Sequence, residues 1–579
     1  MPDSSSPAGT RRALTLREHC DLRSRRMKAE REDYDPVYYE IATYAAPARS
    51  RFNHNNQVPS RKKRARAHTL YDGHAIGAFN ILSGGMTSGL SSPSRPWFRF
   101  ALPDPDLMKF WPVKVWLADV ERIIYDFLGK TNFYTAVKSG YSELGLFGTE
   151  AMFMDEHWNS GIVFSTMTAG EYYLACGDDQ RVDTLCHHVP MTVRQIVQRF
   201  VADRFDSHTM HWDRVSRTVK QLWDNSNDDT TVQVMRLVEP NPAYDSFRGD
   251  ADGKRFRSLW WECGNDNKTA ILSKSGYEEQ AFVGARWQTI GNDTYGSGPG
   301  WNALPDMRVL QVQAKRLGEL TDLLAKPPVV APVGTRVKLT PGAVTYAAQV
   351  DMAGVKPLFQ VDGQAIDRVE QTMARLYGKI DTAAFADIFM AITQMDGVQP
   401  RNQEEIFARN EEKLTQLGPV VERVSTEKLK VILDRVFYVL ERRGAFPEPP
   451  EELDGIKLSI EFISTLAQAQ RMIGLSQVER VVGFVGNLAE SFPEAADNLD
   501  PDALVHEYAD RAGSPPKIMR DPAAVDELRQ QRQASEAEAK AAAMMPAVKQ
   551  AADGAQLLSE TPINTGEPNL LDTLMAGTA

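Results

Sequence analysis

The stretch NQEEIFARNEEKLTQLGPVVERVSTEKLKVILDRVFYVLERRG, residues 402–444, decides the reading of this chain. Asn402 stands where it can cap a first turn, Glu405 where it can reach back to the cap, and Arg409 one turn on, where it can pair with Glu405. Leu414, Leu417, Val421 and Val424 recur at three- and four-residue steps, and Leu429, Ile432, Val436 and Val439 repeat the stripe. The pattern predicts one long amphipathic helix interrupted at Gly418-Pro419, where the proline removes a backbone donor and crowds the preceding turn. Gly444, followed by Phe446-Pro447-Glu448-Pro449-Pro450, ends it. Such a rod has more apolar face than one small domain covers. A core helix pair in an ordinary helical domain is the alternative.

Outward from the rod, the chain alternates helix and short β runs. Tyr295-Gly296-Ser297-Gly298-Pro299-Gly300-Trp301 reads as a rigid loop leading into a helix begun by Pro305 and Asp306, with Met307, Leu310, Ala314, Leu317 and Leu324 on one face. β-like runs at 329–333 and 336–339 follow, bounded by proline and glycine. A second helix from about Gln364 then carries Ile366, Val369, Met373, Leu376 and Ile380. Before residue 300 the pattern is mixed. Helices are expected at 14–46, 68–82, 111–129, 131–147 and 192–204, and strands at 151–154, 162–165, 172–175, 231–238, 258–261 and 282–289. Ser83-Gly84-Gly85-Met86-Thr87-Ser88-Gly89 reads as a flexible break. Beyond the rod, 456–462 alternates as a half-buried strand, and Ser476 with Glu479 forms a capping box before 481–488. Asp521-Pro522 opens a helix whose Gln-, Glu- and Ala-rich continuation, 529–545, is marginal unless packed beside copies of itself. The last thirty or so residues carry a disordered composition. The fold class is therefore α+β, mainly helical.

Composition narrows the function. The 579 residues are 42% hydrophobic and 25% charged, enough for several domains, and the net charge of −11 excludes a protein that wraps nucleic acid by neutralising phosphates. Four scattered cysteines suit a reducing compartment. The N-terminus has no apolar leader, and no window approaches the roughly 18 apolar residues of a membrane helix, so a soluble protein made in the cytoplasm is expected, with no membrane contact. The run Arg61-Lys62-Lys63-Arg64-Ala65-Arg66 is either a phosphate-facing patch or a solvated helix face.

Catalytic patterns fail. No phosphate loop, nucleophile elbow or zinc helix is present, and the glycines at 296–300 lack dinucleotide spacing. Asp250-Ala251-Asp252-Gly253 imitates a calcium loop, but Arg248 and Leu259 stand where carboxylates are needed. Cys176 with Cys186, His187 and His188 fits no common zinc spacing and reads as structural. The expectation is no enzyme, no cofactor and no metal. A metal-dependent nuclease using Cys186, His187 and His188, or a tail adaptor or tube component, are the other readings.

Several blocks together resemble the head-to-tail connecting (portal) proteins of short-tailed, podovirus-type bacteriophages. They are Tyr295-Gly296-x-Gly298-Pro299-Gly300 through Ala303-Leu304-Pro305-Asp306, Leu417-Gly418-Pro419-Val420, Arg435-Val436-Phe437 through Arg443-Gly444-x-Phe446-Pro447, and Phe462-Ile463-Ser464-x-Leu466-Ala467-Gln468-Ala469-Gln470. The resemblance covers roughly residues 15–530. It implies the portal fold of wing, stem, clip and crown, assembled as a homo-oligomeric ring of about twelve copies around a central channel. Double-stranded DNA would be packaged and ejected through that channel. The implied partners are a terminase motor, a tail adaptor, a scaffold and the major capsid protein, and the implied location is the portal vertex of the virion. Mapped onto the chain, 1–300 would be the wing and 301–326 and 363–385 the stem helices. The clip would be 327–362, with Arg336 and Lys338 docking partners, and 386–402 the tunnel loop region. Gln394, Asp396, Gln399, Arg401 and Asn402 would face DNA there. The kinked helix and the rest of the wing would take 403–500, with the kink at Gly418 and Pro419. The crown would be 501–545, and 546–579 a disordered tail.

Overall fold

The computed structural model describes residues 14–49, 70–158 except 105 and 106, and 160–325 except 204–208, 266 and 268. It also describes 329–330, 356–357, 363–393, 417–453, 458–462 and parts of 481–537. Helices and sheets are mixed along the chain, as an α+β class requires. Two compact units emerge. The larger takes residues 1–103, 119–448 and 457–473; the smaller takes 104–118, 449–456 and 474–579.

Two antiparallel sheets organise the larger unit. One has the order β3–β2–β9, from β2 (Thr149–His157), β3 (Gly161–Met167) and β9 (Phe282–Arg286). The other runs β4–β5–β6–β7–β8, from β4 (Tyr172–Cys176), β5 (Val182–Thr192), β6 (Thr231–Pro240), β7 (Phe256–Glu262) and β8 (Ser273–Tyr277). Alternating residues fix which face is buried: Leu185, Val238, Leu174, Phe153 and Phe282 share one core, while Cys186, Leu237, Leu259 and Trp261 share another with Cys20 and Met27 of the helix Leu16–Glu32. That helix begins with the capping box Thr15/Glu18.

The helix His74–Leu90 runs without interruption through the glycines read as a flexible break. Gly85 serves close packing, since a Cβ there would lie 2.1 Å from the Phe389 ring on the helix Ala386–Thr393, whereas Gly84 has open space around it. The helix expected from Pro305 begins at Pro299 and extends to Ala325, so Pro299 takes the first-turn place that proline favours and Pro305 lies inside.

Among the described residues β1 (Phe98–Ala101) pairs only with β12 (Ser459–Phe462), 358 residues downstream by their last and first positions (459 − 101). A two-stranded ribbon is marginal alone. The helix Trp111–Lys130 completes it with side chains. Tyr125 Oη accepts from the Trp97 and Phe98 amides and donates to the Phe98 carbonyl, each at 2.8 Å, and Glu121 Oε1 accepts from the Phe100 amide at 2.7 Å. Burial pushes the Glu121 carboxyl up to about 7, against the Phe100 amide and Arg99. A carboxyl raised in the fold is protonated there while ionised in the unfolded chain, so stability falls as pH rises from the ordinary carboxylate range through about 7. Glu121→Gln keeps an acceptor for Phe100 and removes the titration. The loss in urea midpoint between pH 5 and pH 8 should shrink by an amount equivalent to about 1–3 kcal/mol. An identical pH dependence in both proteins would sink this assignment.

In the smaller unit, the helix Pro501–Ala512 is capped by Asp500, which accepts from the Asp502 and Ala503 amides, and Asp502 pairs with Arg529. Val481, Phe484, Leu488 and Phe492 recur at helical spacing with 39–66% exposure among the described residues.

Candidate functional site: a helical rod clamped to the three-stranded sheet

The described part of the rod runs from 417 to 442, helical throughout, and Gly444 follows with φ +64° at its C-terminal end. Leu417, Val424, Leu429, Ile432, Val436 and Val439 are all buried, as their spacing predicts. Gly418 and Pro419 lie in the first described turn; the bend expected there depends on residues before 417, outside the described range. Within that range the irregular turn lies instead at Ser425–Leu429, a π-helical segment between 417–424 and the α-helix Lys430–Arg442. The sequence carries its signature in plain view. The apolar steps of three and four are broken once, by the five residues from Val424 to Leu429, the spacing of a π turn.

That wide turn sends two consecutive charged residues into the sheet. Glu427 receives the Arg286 guanidinium at 2.7 Å and the Arg286 amide at 3.1 Å, at the end of β9. Lys428 Nζ lies 2.7 Å from Glu150 Oε2 on β2, with both side chains fully buried, and sits 3.8 Å from the Tyr141 ring centroid. Burial pushes the Glu150 carboxyl up and the Lys428 amine down, each opposed by the attraction of the other. Further along, Arg435, 1% exposed, reaches both Glu279 and Glu156 at 2.6 Å. Arg442 pairs with the same two carboxylates, and Arg443 donates to the carbonyls of His157 and Gly161. Arg423 donates to Thr289 at 2.7 Å. One face of the rod is thus fixed to β2, β9 and the turn after β2 by charge-assisted bonds at successive turns.

Two long helices form a pair of their own. Pro299–Ala325 packs against Gly363–Ala383, with Met307, Leu310, Met373, Leu376 and Ile380 buried. Gln311 Oε1 accepts from the Tyr71 and Asp72 amides, Tyr377 donates to Asp72 at 2.6 Å, and His74 meets Asp381 at 2.9 Å, so the segment 71–74 straps both helices together. Val309, Val312 and Leu324 remain 45–49% exposed.

Residues 17–519 match the family described as bacteriophage head to tail connecting protein. The chain belongs to that family. It is 36% identical to the portal protein of Salmonella phage epsilon15 over 97% of this chain and 98% of that one. It is 32% identical to the probable portal protein of Bordetella phage BPP-1 over 94% and 95%. The family is structural, not enzymatic.

In this connector-family chain the other sequence candidates fall as follows. Gln394, Asp396, Gln399, Arg401 and Asn402, and likewise Arg336, Lys338 and the basic run 61–66, lie outside the described residues. Cys176 and Cys186 lie on neighbouring strands without converging on the histidines; Cys186 is buried near Cys20 and Cys263, and His187, opposite Arg236, is held neutral with its pKa down to about 3 by burial and that cation. No group of three metal ligands occurs among the described residues. The Asp250–Gly253 turn is filled by the chain's own cations, Arg248 and Lys274 pairing with Asp250 and Asp252. No described helix is long and apolar enough to cross a membrane. The clamp residues themselves gave no sequence signal beyond the five-residue step, because Glu150 lies 278 positions from Lys428.

Proposed function

We propose that this head-to-tail connector assembles as a closed ring of about twelve copies at one vertex of the virion capsid, with double-stranded DNA packaged and ejected through its axis. The observation that carries this reading is the likeness to portal proteins along nearly the whole length of this chain and of both relatives. The helices Pro299–Ala325 and Gly363–Ala383 take the part of the stem, and the rest of 1–300 that of the wing. Their exposed Val309, Val312 and Leu324, together with Val481, Phe484, Leu488 and Phe492 in the smaller unit, favour burial against further copies. The segment 327–362, with Arg336 and Lys338, serves as the clip that docks the terminase motor and then the tail adaptor; the scaffold and major capsid protein meet the outer parts. The tunnel loop region 386–402 begins with the helix Ala386–Thr393, and beyond it Gln394, Asp396, Gln399, Arg401 and Asn402 face DNA; the rod carries that region from its clamp on the sheet, bending at Gly418-Pro419. The crown is 501–545.

The acidic balance has a physical use here. DNA has to slide, and a lumen dense in lysine and arginine would hold phosphates by counterion release, whereas a neutral or acidic wall lets them pass. Electron microscopy of the purified protein tests the reading: rings with an axial hole wider than the roughly 20 Å duplex are expected. A protein that stays monomeric at high concentration overturns it.

A further inference from the structure

A strand at the margin of a sheet carries backbone donors and acceptors that another chain can pair with, so a protein that meets copies of itself has to close such edges. The two sheets of the larger unit have four: β3 and β9 in one, β4 and β8 in the other. Each meets polar groups from elsewhere in the chain. β9 turns its Arg286 amide to Glu427 of the rod at 3.1 Å. On β4 the Leu174 amide donates to Tyr295 Oη at 2.9 Å, and the Tyr172 carbonyl accepts from the Arg31 guanidinium at 3.4 Å. β8 packs against the turn Ala251–Gly253, with Lys274 on Asp252 at 2.6 Å and Lys254 on Glu278 at 3.5 Å.

The closure of β3 is the most specific. Phe164 stands opposite Met154 of β2, whose amide turns the other way, to the Ala281 carbonyl beside β9, so the amide and carbonyl of Phe164 face outward from the sheet. Asn132 meets both. Its Nδ2 donates to the Phe164 carbonyl at 2.7 Å, and its Oδ1 accepts from the Phe164 amide at 3.0 Å. A side-chain amide thus gives the strand the same donor and acceptor that one residue of a neighbouring strand would give. Asn132 is also withheld from its usual task. It occupies the N-cap position of the helix Phe133–Phe147, where asparagine ordinarily accepts from a first-turn amide, yet its side chain makes no capping bond; the Phe133 amide donates to Thr131 Oγ1 at 3.3 Å instead. The Thr166 hydroxyl donates to the Ala136 carbonyl at 2.8 Å and holds the strand to the same helix at a second point. Asn132 and Ser165 are both exposed, so this stretch of edge is within reach of solvent and of another chain.

We propose that Asn132 acts as a false strand residue, closing the edge of β3 so that a second copy of the chain cannot add a strand there. Strand addition draws its affinity from main-chain hydrogen bonds, and the bonds that Phe164 would offer are already made within the chain. The proposal goes beyond the ring reading and stands without it, since it concerns a contact that copies of this chain are kept from making.

The test opens the edge and then blocks it by other means, in the full-length protein. Asn132→Ala should lose soluble protein progressively on concentration and gain a thioflavin T signal, the mark of strand-linked stacking that a ring of folded copies does not give. Adding Ser165→Lys places a charge on the opened edge strand and should restore solubility, because a lysine there opposes pairing without replacing either bond of Asn132. An Asn132→Ala protein that stays as dispersed and as dark to the dye as the parent overturns the proposal. Association that Ser165→Lys leaves unchanged overturns it too, since it then proceeds through general unfolding and not through the edge of β3. A second measurement needs no variant. In the unaltered protein the Phe164 amide should exchange with deuterium as slowly as the amides of β2. Exchange as fast as that of an unpaired surface amide shows that Asn132 does not close the edge.

Discussion

Lys428→Met should destabilise the larger unit by about 3–5 kcal/mol at pH 8, the cost of stranding one member of a buried ion pair. The reason lies in what surrounds Glu150. It is fully buried, its Oε1 has no hydrogen-bond partner, and Oε2 depends on Lys428 Nζ at 2.7 Å. Methionine fills nearly the same space but leaves the carboxylate facing the Tyr141 ring and apolar walls. Burial already pushes this carboxyl up, and loss of the Lys428 attraction pushes it further, so the variant holds Glu150 protonated. The sign of the pH effect follows. With a folded-state pKa above the unfolded one, stability falls as pH rises, so the defect should be smaller at pH 5 than at pH 8. Lys428→Met with Glu150→Leu removes both charges and should recover most of the loss, because a buried pair often gives no more stability than well-packed apolar groups. Urea midpoints read by tryptophan fluorescence separate the cases. A single variant as stable as the parent at pH 8, or a double variant no better than the single, would show that the pair does not hold the rod.

That pair also marks how far the sequence could be read. The apolar stripe of the rod was legible because helical periodicity is a local signal: of its seven described positions from Leu417 to Val439, six are buried and Val421 is half-buried. The π turn was legible too, in the five-residue step from Val424 to Leu429, and was overlooked because Gly418-Pro419 is the stronger local breaker. Glu150, Glu156, Glu279 and Arg286 could not be found this way. A charged residue on a strand looks solvent-facing in sequence, and its partner is brought to it only by the fold. Six of the eight strands in the two sheets were read from β-rich runs between turn residues, β5 and β8 were not among them, and of the ribbon only β12 was read as a strand, its pairing with β1 spanning most of the chain. Of the DNA-facing candidates, the sequence offered their order relative to the helices and a family likeness, neither of which fixes a side chain in space. Glycine was the residue most misread. In Ser83–Gly89, read as a flexible break, Gly85 makes room for the Phe389 side chain inside a helix, and in Tyr295–Trp301, read as a rigid loop, the glycines mark close backbone approach, which sequence alone cannot tell from an ordinary turn.

Gly300→Ala makes that distinction measurable, and it should cost about 3 kcal/mol or more through forced overpacking. A Cβ at Gly300 would lie 2.0 Å from the Leu146 carbonyl oxygen and 2.8 Å from its carbon, both backbone atoms that no rotamer change can move. The crossing is fixed from several sides. Gly148, at φ +77°, ends the helix Phe133–Phe147 and lies so close to residues 296–298 that its own Cβ would meet the Gly296 carbonyl oxygen at 2.6 Å. The Gly296 amide donates to Thr149 Oγ1 at 2.8 Å, and the Trp301 indole donates to the Phe147 carbonyl at 3.2 Å. Relief therefore requires displacing the first turn of Pro299–Ala325, and with it the direction of the whole helix. Gly318, on the same helix with open space around it, provides the control: Gly318→Ala should stabilise by about 0.5–1 kcal/mol through helix propensity. Opposite shifts in urea midpoint are expected from one substitution chemistry in one helix. If Gly300→Ala is tolerated as well as Gly318→Ala, the glycines at 296–300 are turn residues after all, and the start of the helix Pro299–Ala325 is not set by contact with Leu146.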